Sequence, residues 1–218
     1  MILIGIYSIS ILLLLTLLVA NYNDSRIGEW CTKPTLSLMF ILVALMQTTI
    51  WTEFHLFMVY GLLLCFTGDV CLIPDKKKTF MAGLISFLTG HLLYIVAFYQ
   101  IASPNLSHGI AAAGILLVSA AVLTWLWRHI EGMRVPVLSY MIVISVMVLA
   151  AFTVAFNEQL IPTGRLLLLG GAIGFFVSDI FVVREQFVTR SFVNPLLGLP
   201  LYYGSQFSLA ISLGYLDG

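Results

Sequence analysis

Charged residues are scarce in this chain of 218 residues. Aspartate, glutamate, lysine and arginine together make up 9% of the sequence, whereas hydrophobic residues make up 61% and the mean hydropathy is +1.06. A soluble domain carries about a quarter charged residues, so an ordinary water-soluble surface is excluded. Lipid must therefore be the solvent for most of the surface. The net charge is zero, so the composition gives no reason to expect nucleic acid as a partner.

Several features of soluble enzymes and secreted domains are also missing. The three cysteines, Cys31, Cys65 and Cys71, have neither disulfide-framework nor metal-binding spacing. The sequence contains no P-loop, GxSxG, HExxH or CxxC motif, so the corresponding reaction classes have no support. We expect no cofactor and no metal site. The apolar N-terminal segment lacks a basic start and a small-residue cleavage site, so we interpret it as a retained helix.

Long apolar runs dominate what is present. A spanning helix needs about 20 mostly apolar residues, and in lipid each helix must satisfy its own backbone hydrogen bonds. The sequence therefore predicts an all-α integral membrane protein, with a single transmembrane domain over residues 1–218 and eight transmembrane helices. The predicted spans are about 2–20, 34–51, 55–73, 80–102, 107–127, 135–156, 164–183 and 193–214.

Lysine and arginine predict the orientation of these spans. Nine of the ten basic residues fall on one set of alternate connections, which the positive-inside rule assigns to the cytoplasm. They are Arg26, Lys33, Lys76, Lys77, Lys78, Arg128, Arg134, Arg184 and Arg190. Only Arg165 lies on the other set. We therefore expect both termini to be non-cytoplasmic, in the cell (inner) membrane of a bacterium or an endomembrane of a eukaryote.

The two halves of the chain show a faint similarity. The second and sixth predicted helices both open with the pattern Pro-x-Leu-Ser. In the third and seventh helices a glycine precedes an aspartate by eight residues, as Gly61 precedes Asp69 and Gly171 precedes Asp179. This order indicates a parallel four-plus-four internal repeat, with chance similarity among apolar helices as the alternative.

Asp69 and Asp179 are the residues most informative about function. Each interrupts an apolar run about five residues from the same end of its helix, which places it about 7–8 Å below that interface. A carboxyl group inside a membrane is costly and by default indicates function. If the two lie close together, one can stay protonated while the other is ionised, as acid–base catalysis requires. The alternative is two helix-end aspartates that reach interfacial water or a nearby lysine.

Further polar side chains on the predicted helices are candidates for substrate binding. They are Lys33, His91, Tyr94, Tyr140, Tyr202 and Gln206. Lys33 opens the second predicted helix, where it would hold a phosphate, balance the aspartates or extend to the interface. His91 is equally well interpreted as a hydrogen-bonded structural histidine, and interfacial or packing use explains any one of the tyrosines.

Small residues lie beside both aspartates. Gly61 and Cys65 share a helical face with Asp69, and Gly170, Gly174 and Ser178 form a stripe beside the second aspartate. Such stripes allow helices to approach closely in lipid, so they predict tight packing that would bring the two aspartates together.

In this order and placement, the motifs resemble the YhhN-like lysoplasmalogenase family. The similar features are Lys33-Pro34, Gly68-Asp69, Phe80-x-x-Gly83-x-x-x-Phe87-x-x-Gly90-His91-x-x-Tyr94, Gly171-Ala172-x-x-Phe175-x-x-Ser178-Asp179 and Tyr202-Tyr203-x-x-Gln206. The resemblance runs from about residue 30 to 207. It implies an eight-helix membrane hydrolase that cleaves the vinyl ether bond of lysoplasmalogens, with Asp69 and Asp179 as paired aspartates. The products would be a fatty aldehyde and glycerophosphoethanolamine or glycerophosphocholine.

The chemistry of a vinyl ether suits a pair of carboxyl groups. Protonation of its β-carbon generates an oxocarbenium ion, which a carboxylate stabilises as in glycosidases. Two other functions remain open. An intramembrane aspartyl protease also uses two helix-borne aspartates, although the Tyr-Asp and Gly-x-Gly-Asp motifs are missing. A proton-coupled transporter would use the aspartates as a relay, although transporters bind nearer the midplane on broken helices.

Overall fold

The computed structural model describes residues 1–48, 50–103 and 109–216. Within these ranges the chain forms eight α-helices and no strand, which confirms the predicted all-α class. The helices are α1 (Ile2–Tyr22), α2 (Arg26–Gln47), α3 (Glu53–Leu72), α4 (Lys77–Ile101), α5 (Gly109–Leu126), α6 (Arg134–Ala155), α7 (Pro162–Val183) and α8 (Val193–Ser212). A short π-helix, Arg184–Val188, continues α7, and a 3-10 helix, Leu213–Tyr215, continues α8.

Six of these helices are long and apolar enough to cross a membrane. They are α1, α2, α3, α4, α6 and α7 with its π-helical continuation. The apolar part of α5, Ala112–Leu126, is shorter, and α8 carries buried polar residues such as Asn194 and Gln206. The protein is therefore a multi-pass integral membrane protein, whereas the count of eight spans stays a prediction.

The second helix differs most from its predicted bounds. It begins at Arg26 rather than at residue 34, so the predicted start was wrong by about two turns. Ser25 caps it, since the Ser25 hydroxyl accepts a hydrogen bond from the Gly28 amide at 3.2 Å. Lys33 therefore lies within the helix instead of opening it. The predicted end at residue 51 lies beyond Gln47, and the predicted start of the fifth span at 107 lies outside the described residues.

Close packing of two helix pairs, α3 with α4 and α7 with α8, depends on glycine. A Cβ atom on Gly61 would lie 2.4 Å from the Tyr94 ring, and one on Gly174 would lie 2.4 Å from the Ser205 hydroxyl. Gly171 faces α8 in the same way, but Gly170 faces open space. The predicted stripe was therefore wrong at its first member, because the helix packs through Gly171 and Gly174 instead.

The neighbours of the helices follow one pattern in both halves. Helix α2 packs against α3 and α8, and α6 packs against α7 and α4, which is the same relation after a shift of four helices. The prolines of the two Pro-x-Leu-Ser patterns occupy different positions in the corresponding helices. Pro34 lies inside α2, whereas Pro136 is the third residue of α6. The four-plus-four repeat accordingly stays a prediction.

Both aspartates lie near one end of the bundle. Helices α1, α3, α5 and α7 end there, and α2, α4, α6 and α8 begin there. Asp75, between α3 and α4, forms ion pairs with Arg190 at 2.8 Å and with Arg26 at 3.6 Å. These contacts connect the start of α2 with two of the connections at this end. They are exposed, so each contributes about 1 kcal/mol or less.

The glycine contact between α7 and α8 provides a test of this packing. We expect Gly171→Val to lower the unfolding free energy by about 1–3 kcal/mol, because its side chain would meet Leu209 at 2.8 Å and the Ser205 carbonyl at 3.0 Å. Gly170→Val, one residue away with nothing within 4 Å, should change it far less. Thermal unfolding of both variants in detergent measures the difference. Equal stability of the two variants would contradict the assigned helix interface.

Candidate functional site

A cavity of about 240 Å³ lies at the end of the bundle described above, and all eight helices contribute to its lining. Five of the eight predicted site residues line it: Lys33, Asp69, Tyr140, Asp179 and Tyr202. Most of the other lining side chains are apolar, for example Leu84, Val122, Ile144 and Phe176. The structure thus brings both aspartates to one largely apolar chamber, as the sequence predicted.

Asp69, in the last turn of α3, is surrounded by three donor side chains from two other helices, α2 and α8. Its Oδ2 atom accepts hydrogen bonds from the Ser37 hydroxyl at 2.6 Å and the Tyr202 hydroxyl at 2.7 Å. Its Oδ1 atom lies 3.7 Å from Lys33 Nζ. The aspartate side chain is 2% exposed and the lysine 14% exposed. A buried carboxylate with a cation and two hydroxyl donors is a satisfied negative charge.

A chain of hydrogen bonds extends behind Tyr202 into the bundle. Gln206 donates from its amide nitrogen to the Tyr202 hydroxyl at 3.1 Å, and Tyr94 donates to the Gln206 carbonyl oxygen at 3.2 Å. Tyr94 and Gln206 are fully buried and do not line the cavity. Both were predicted to bind substrate. That prediction is not tested by the structure, which shows that the two side chains extend the hydrogen bonds of the Tyr202 hydroxyl.

Asp179 has fewer partners than Asp69. It lies in the last full turn of α7, and its Oδ2 atom accepts one hydrogen bond, from the Tyr140 hydroxyl on α6 at 2.7 Å. Among the ion pairs of the described residues none includes Asp179, and no described donor contacts its Oδ1 atom. Its side chain is half-buried and faces the cavity. The two carboxyl groups therefore share a chamber but have different electrostatic surroundings.

His91 lies away from the cavity, in a box of aromatic rings. Its ring centroid is 4.5 Å from that of Phe175, 5.4 Å from that of Tyr140 and 6.3 Å from that of Tyr94. The side chain is fully buried, and neither ring nitrogen has a hydrogen-bond partner among the described residues. The structure therefore does not show His91 as a hydrogen-bonded structural histidine. His91 also does not line the cavity, so its predicted role in substrate binding stays a prediction.

Some residues of the site were missed by the sequence reasoning. Ser37 bonds Asp69, and Tyr203 lies 3.2 Å from the Ser37 hydroxyl. Glu185 and Asn194 line the outer part of the cavity and bond each other. Ser37 and Tyr203 both belong to the sequence patterns described above. Ser37 lies four residues after Lys33, and Tyr203 directly follows Tyr202. Helical spacing from the cavity residues was the available signal for Ser37.

The contact between Lys33 and Asp69 predicts a coupled effect on stability. Lys33→Met should destabilise the protein by up to about 3 kcal/mol, because it leaves a buried carboxylate without its cation. Asp69→Asn in the same chain should recover much of that loss, since the amide is uncharged. A double-mutant cycle of thermal unfolding in detergent measures the coupling, with Lys77→Met, an exposed lysine, as control. Additive effects of the two substitutions would mean that the pair does not interact.

Comparison with known proteins gives three kinds of result. A lysoplasmalogenase of Mycobacterium bovis and one of Mycobacterium tuberculosis are each 29% identical to this chain over 168 residues, which is 74% of this chain. The matched region covers 60% of the length of these relatives. A protein of Escherichia coli O157:H7 named uncharacterized membrane protein YhhN is 25% identical over 196 residues, covering 89% of this chain and 91% of its own length. No solved structure matches the chain.

A family model matches most of the chain, not only the residues that line the cavity. The model of the YhhN family covers residues 28–213, a range that begins near the start of α2 and ends just after α8. It therefore includes every residue of the two aspartate clusters. Because the model matches most of the sequence, the chain belongs to the YhhN family.

Proposed function

We propose that this protein is a lysoplasmalogenase, which hydrolyses the vinyl ether bond of a lysoplasmalogen to a fatty aldehyde and a glycerophospho-alcohol. The observation that carries the proposal is the pair of aspartates with different partners on one apolar cavity. Family membership and the two mycobacterial relatives named lysoplasmalogenase support it. The lysophospholipid substrate would reach this cavity from the membrane, where its headgroup stays near the interface.

The different surroundings of the two aspartates favour different protonation states. Asp69 has Lys33 and two hydroxyl donors, so a negative charge there is compensated. Asp179 has one hydroxyl donor and no described cation, and a charge that faces a largely apolar cavity without a partner is costly. We therefore assign Asp69 as the ionised base and Asp179 as the protonated acid. This assignment follows the logic of glycosidases, in which different surroundings give two carboxyl groups different protonation states.

The proposed reaction uses each aspartate twice. Asp179 donates its proton to the β-carbon of the vinyl ether, and the electron pair of the double bond forms that C–H bond. The resulting oxocarbenium ion is stabilised by the Asp69 carboxylate, which then takes a proton from the attacking water. The hemiacetal so formed returns its hydroxyl proton to Asp179, while Asp69 protonates the departing glycerol oxygen. Both carboxyl groups thereby regain their starting states.

We propose in addition that all eight helices cross the membrane, with both termini outside the cytoplasm. The even number of α-helices among the described residues and the nine-to-one division of basic residues support this arrangement. Its consequence is that the cavity lies in the cytoplasmic leaflet, because the basic connections surround its open end. A lysophospholipid of that leaflet would place its ether oxygen near the depth of the aspartates.

Replacement of either aspartate by asparagine tests the mechanism. We expect Asp69→Asn and Asp179→Asn each to lose about 10²–10⁴-fold in kcat, because general acid–base catalysis contributes that much. The losses should not add in the double variant, since the residues act as a unit. Fatty aldehyde release by purified, monodisperse protein is the measurement. Asp24→Asn serves as control, because Asp24 is exposed and its positive φ of 49° suits asparagine.

Two outcomes would count against the proposed mechanism or the proposed function. Near-native turnover in either folded aspartate variant would mean that the carboxyl pair is not catalytic. If the wild-type protein releases no aldehyde but acidifies vesicles in a substrate-dependent manner, the proton-coupled transporter becomes the better interpretation.

Membrane topology provides a separate prediction. A cysteine introduced by Lys77→Cys in a cysteine-free background should react with membrane-impermeant maleimide only after the cytoplasmic side is opened. A reporter fused to the C-terminus should show the opposite accessibility. This result follows from an even number of crossings with the basic turns inside. A C-terminus on the same side as Lys77 would show that the number of crossings between them is even, which contradicts the five expected for α4 to α8.

A further inference from the structure

The outer part of the cavity carries polar side chains that the proposed reaction does not use. Asn21, Glu185, Gln186 and Asn194 line the same cavity as the two aspartates, and they lie where α1 ends, α7 continues as a π-helix and α8 begins. Among the described lining residues Glu185 is the only carboxylate besides Asp69 and Asp179. From these residues, and resting on the proposed lysoplasmalogenase function, we propose that this outer region binds the primary ammonium group of an ethanolamine headgroup.

Glu185 is held in place while one of its oxygens stays free. Its Oε2 atom accepts hydrogen bonds from the Asn194 amide nitrogen at 2.5 Å and from the Ser191 backbone N–H at 3.0 Å. Asn194 is 1% exposed, and its own oxygen accepts a hydrogen bond from Arg184 at 2.5 Å. Among the described residues, no hydrogen bond or ion pair involves Glu185 Oε1. The carboxylate is therefore positioned by buried neighbours and retains an acceptor for a ligand.

The distance from the aspartates matches the length of the headgroup. Glu185 follows Asp179 by six residues, which is about 9 Å along the helix axis, and Asn194 precedes Tyr202 by eight residues, about 12 Å. In a lysoplasmalogen, about ten bonds of about 1.5 Å separate the vinyl carbon from the amine nitrogen. Bond angles and gauche turns shorten this to roughly 10 Å. A vinyl ether at the aspartates therefore places the amine near Glu185, with the phosphate between them on the side of Lys33.

The available acceptors distinguish a primary amine from a quaternary one. A primary ammonium has three N–H donors, which need carboxylate or carbonyl acceptors. Glu185 offers Oε1, and Asn21 offers its side-chain oxygen, because its amide nitrogen already donates to the Leu17 carbonyl at 3.1 Å. A trimethylammonium group has no donor and is recognised by the faces of an aromatic cage. Two of the lining rings, Phe80 and Phe187, pack edge to face against each other, and no aromatic cage is recorded around Glu185 among the described residues.

Headgroup selectivity tests the proposal directly. We compare kcat/KM for two lysoplasmalogens with the same alkenyl chain, one with ethanolamine and one with choline. The wild-type protein should prefer ethanolamine by about tenfold or more, the worth of a charge-assisted hydrogen bond. Glu185→Gln should reduce that ratio toward one, mainly by raising KM for the ethanolamine substrate. Glu158→Gln, an exposed glutamate between α6 and α7 at the other end of the bundle, should leave the ratio unchanged.

A binding measurement keeps the proposal testable if Glu185→Gln fails to fold or if turnover is absent. The probes are saturated 1-O-alkyl lysophospholipids with ethanolamine or choline, titrated into wild-type protein in detergent by calorimetry. The ethanolamine probe should bind about tenfold or more tightly. Equal Kd values would overturn the ammonium site. Aldehyde release from both substrates with equal kcat/KM would also overturn it, while leaving the lysoplasmalogenase function intact. If neither substrate releases aldehyde, the result counts against the lysoplasmalogenase function alone.

Discussion

A carboxylate persists inside an apolar helix bundle only if other groups compensate its charge, and this constraint organises the structure around Asp69. Its compensation comes from Lys33 and Ser37 on α2 and from Tyr202 on α8. Three helices are therefore fixed in rotation and depth by one side chain. Gly61 lets α4 approach α3 closely enough to seat Tyr94 behind this cluster. The polar network and the glycine packing consequently depend on each other.

The second aspartate shows what happens where that compensation is weaker. Asp179 receives one hydroxyl, from Tyr140, in a chamber walled by apolar side chains. Two carboxyl groups on the same cavity thus have different partners, and the proposed mechanism gives them different protonation states for that reason. The chemistry of a vinyl ether requires such a difference, since one group must give a proton to carbon while the other stabilises positive charge.

The sequence predicted the elements well because lipid imposes a simple rule on helices. Every predicted span corresponds to one α-helix among the described residues, and the two aspartates singled out in the sequence both line the cavity. The start of α2 was missed because Arg26, Glu29 and Lys33 interrupt its apolar pattern, while a proline is most common in a first turn. Ser25 provides the cap that decides the boundary.

Contacts between helices were less predictable than the helices themselves. Which hydroxyl reaches which carboxylate depends on the rotation of each helix about its axis, which apolar periodicity hardly defines when a helix is hydrophobic on all sides. For this reason Ser37 was overlooked, and the aromatic surroundings of His91 were not predicted. Glu185 was missed because the π-helical continuation of α7 carries no sequence signature that hydropathy detects.

In the proposed mechanism one carboxyl group protonates carbon and the other then activates water. The identity of the bond that the protein cleaves tests this mechanism most directly. Purified protein would be incubated with three lysophospholipids that share headgroup and chain length but carry a 1-alkenyl, a 1-alkyl or a 1-acyl linkage, and the products identified by mass spectrometry. We expect fatty aldehyde from the alkenyl lipid and no product from the other two, because neither the alkyl nor the acyl linkage has an alkene carbon whose protonation generates the oxocarbenium ion. Release of fatty acid from the acyl lipid, or an intact alkenyl lipid, would contradict it.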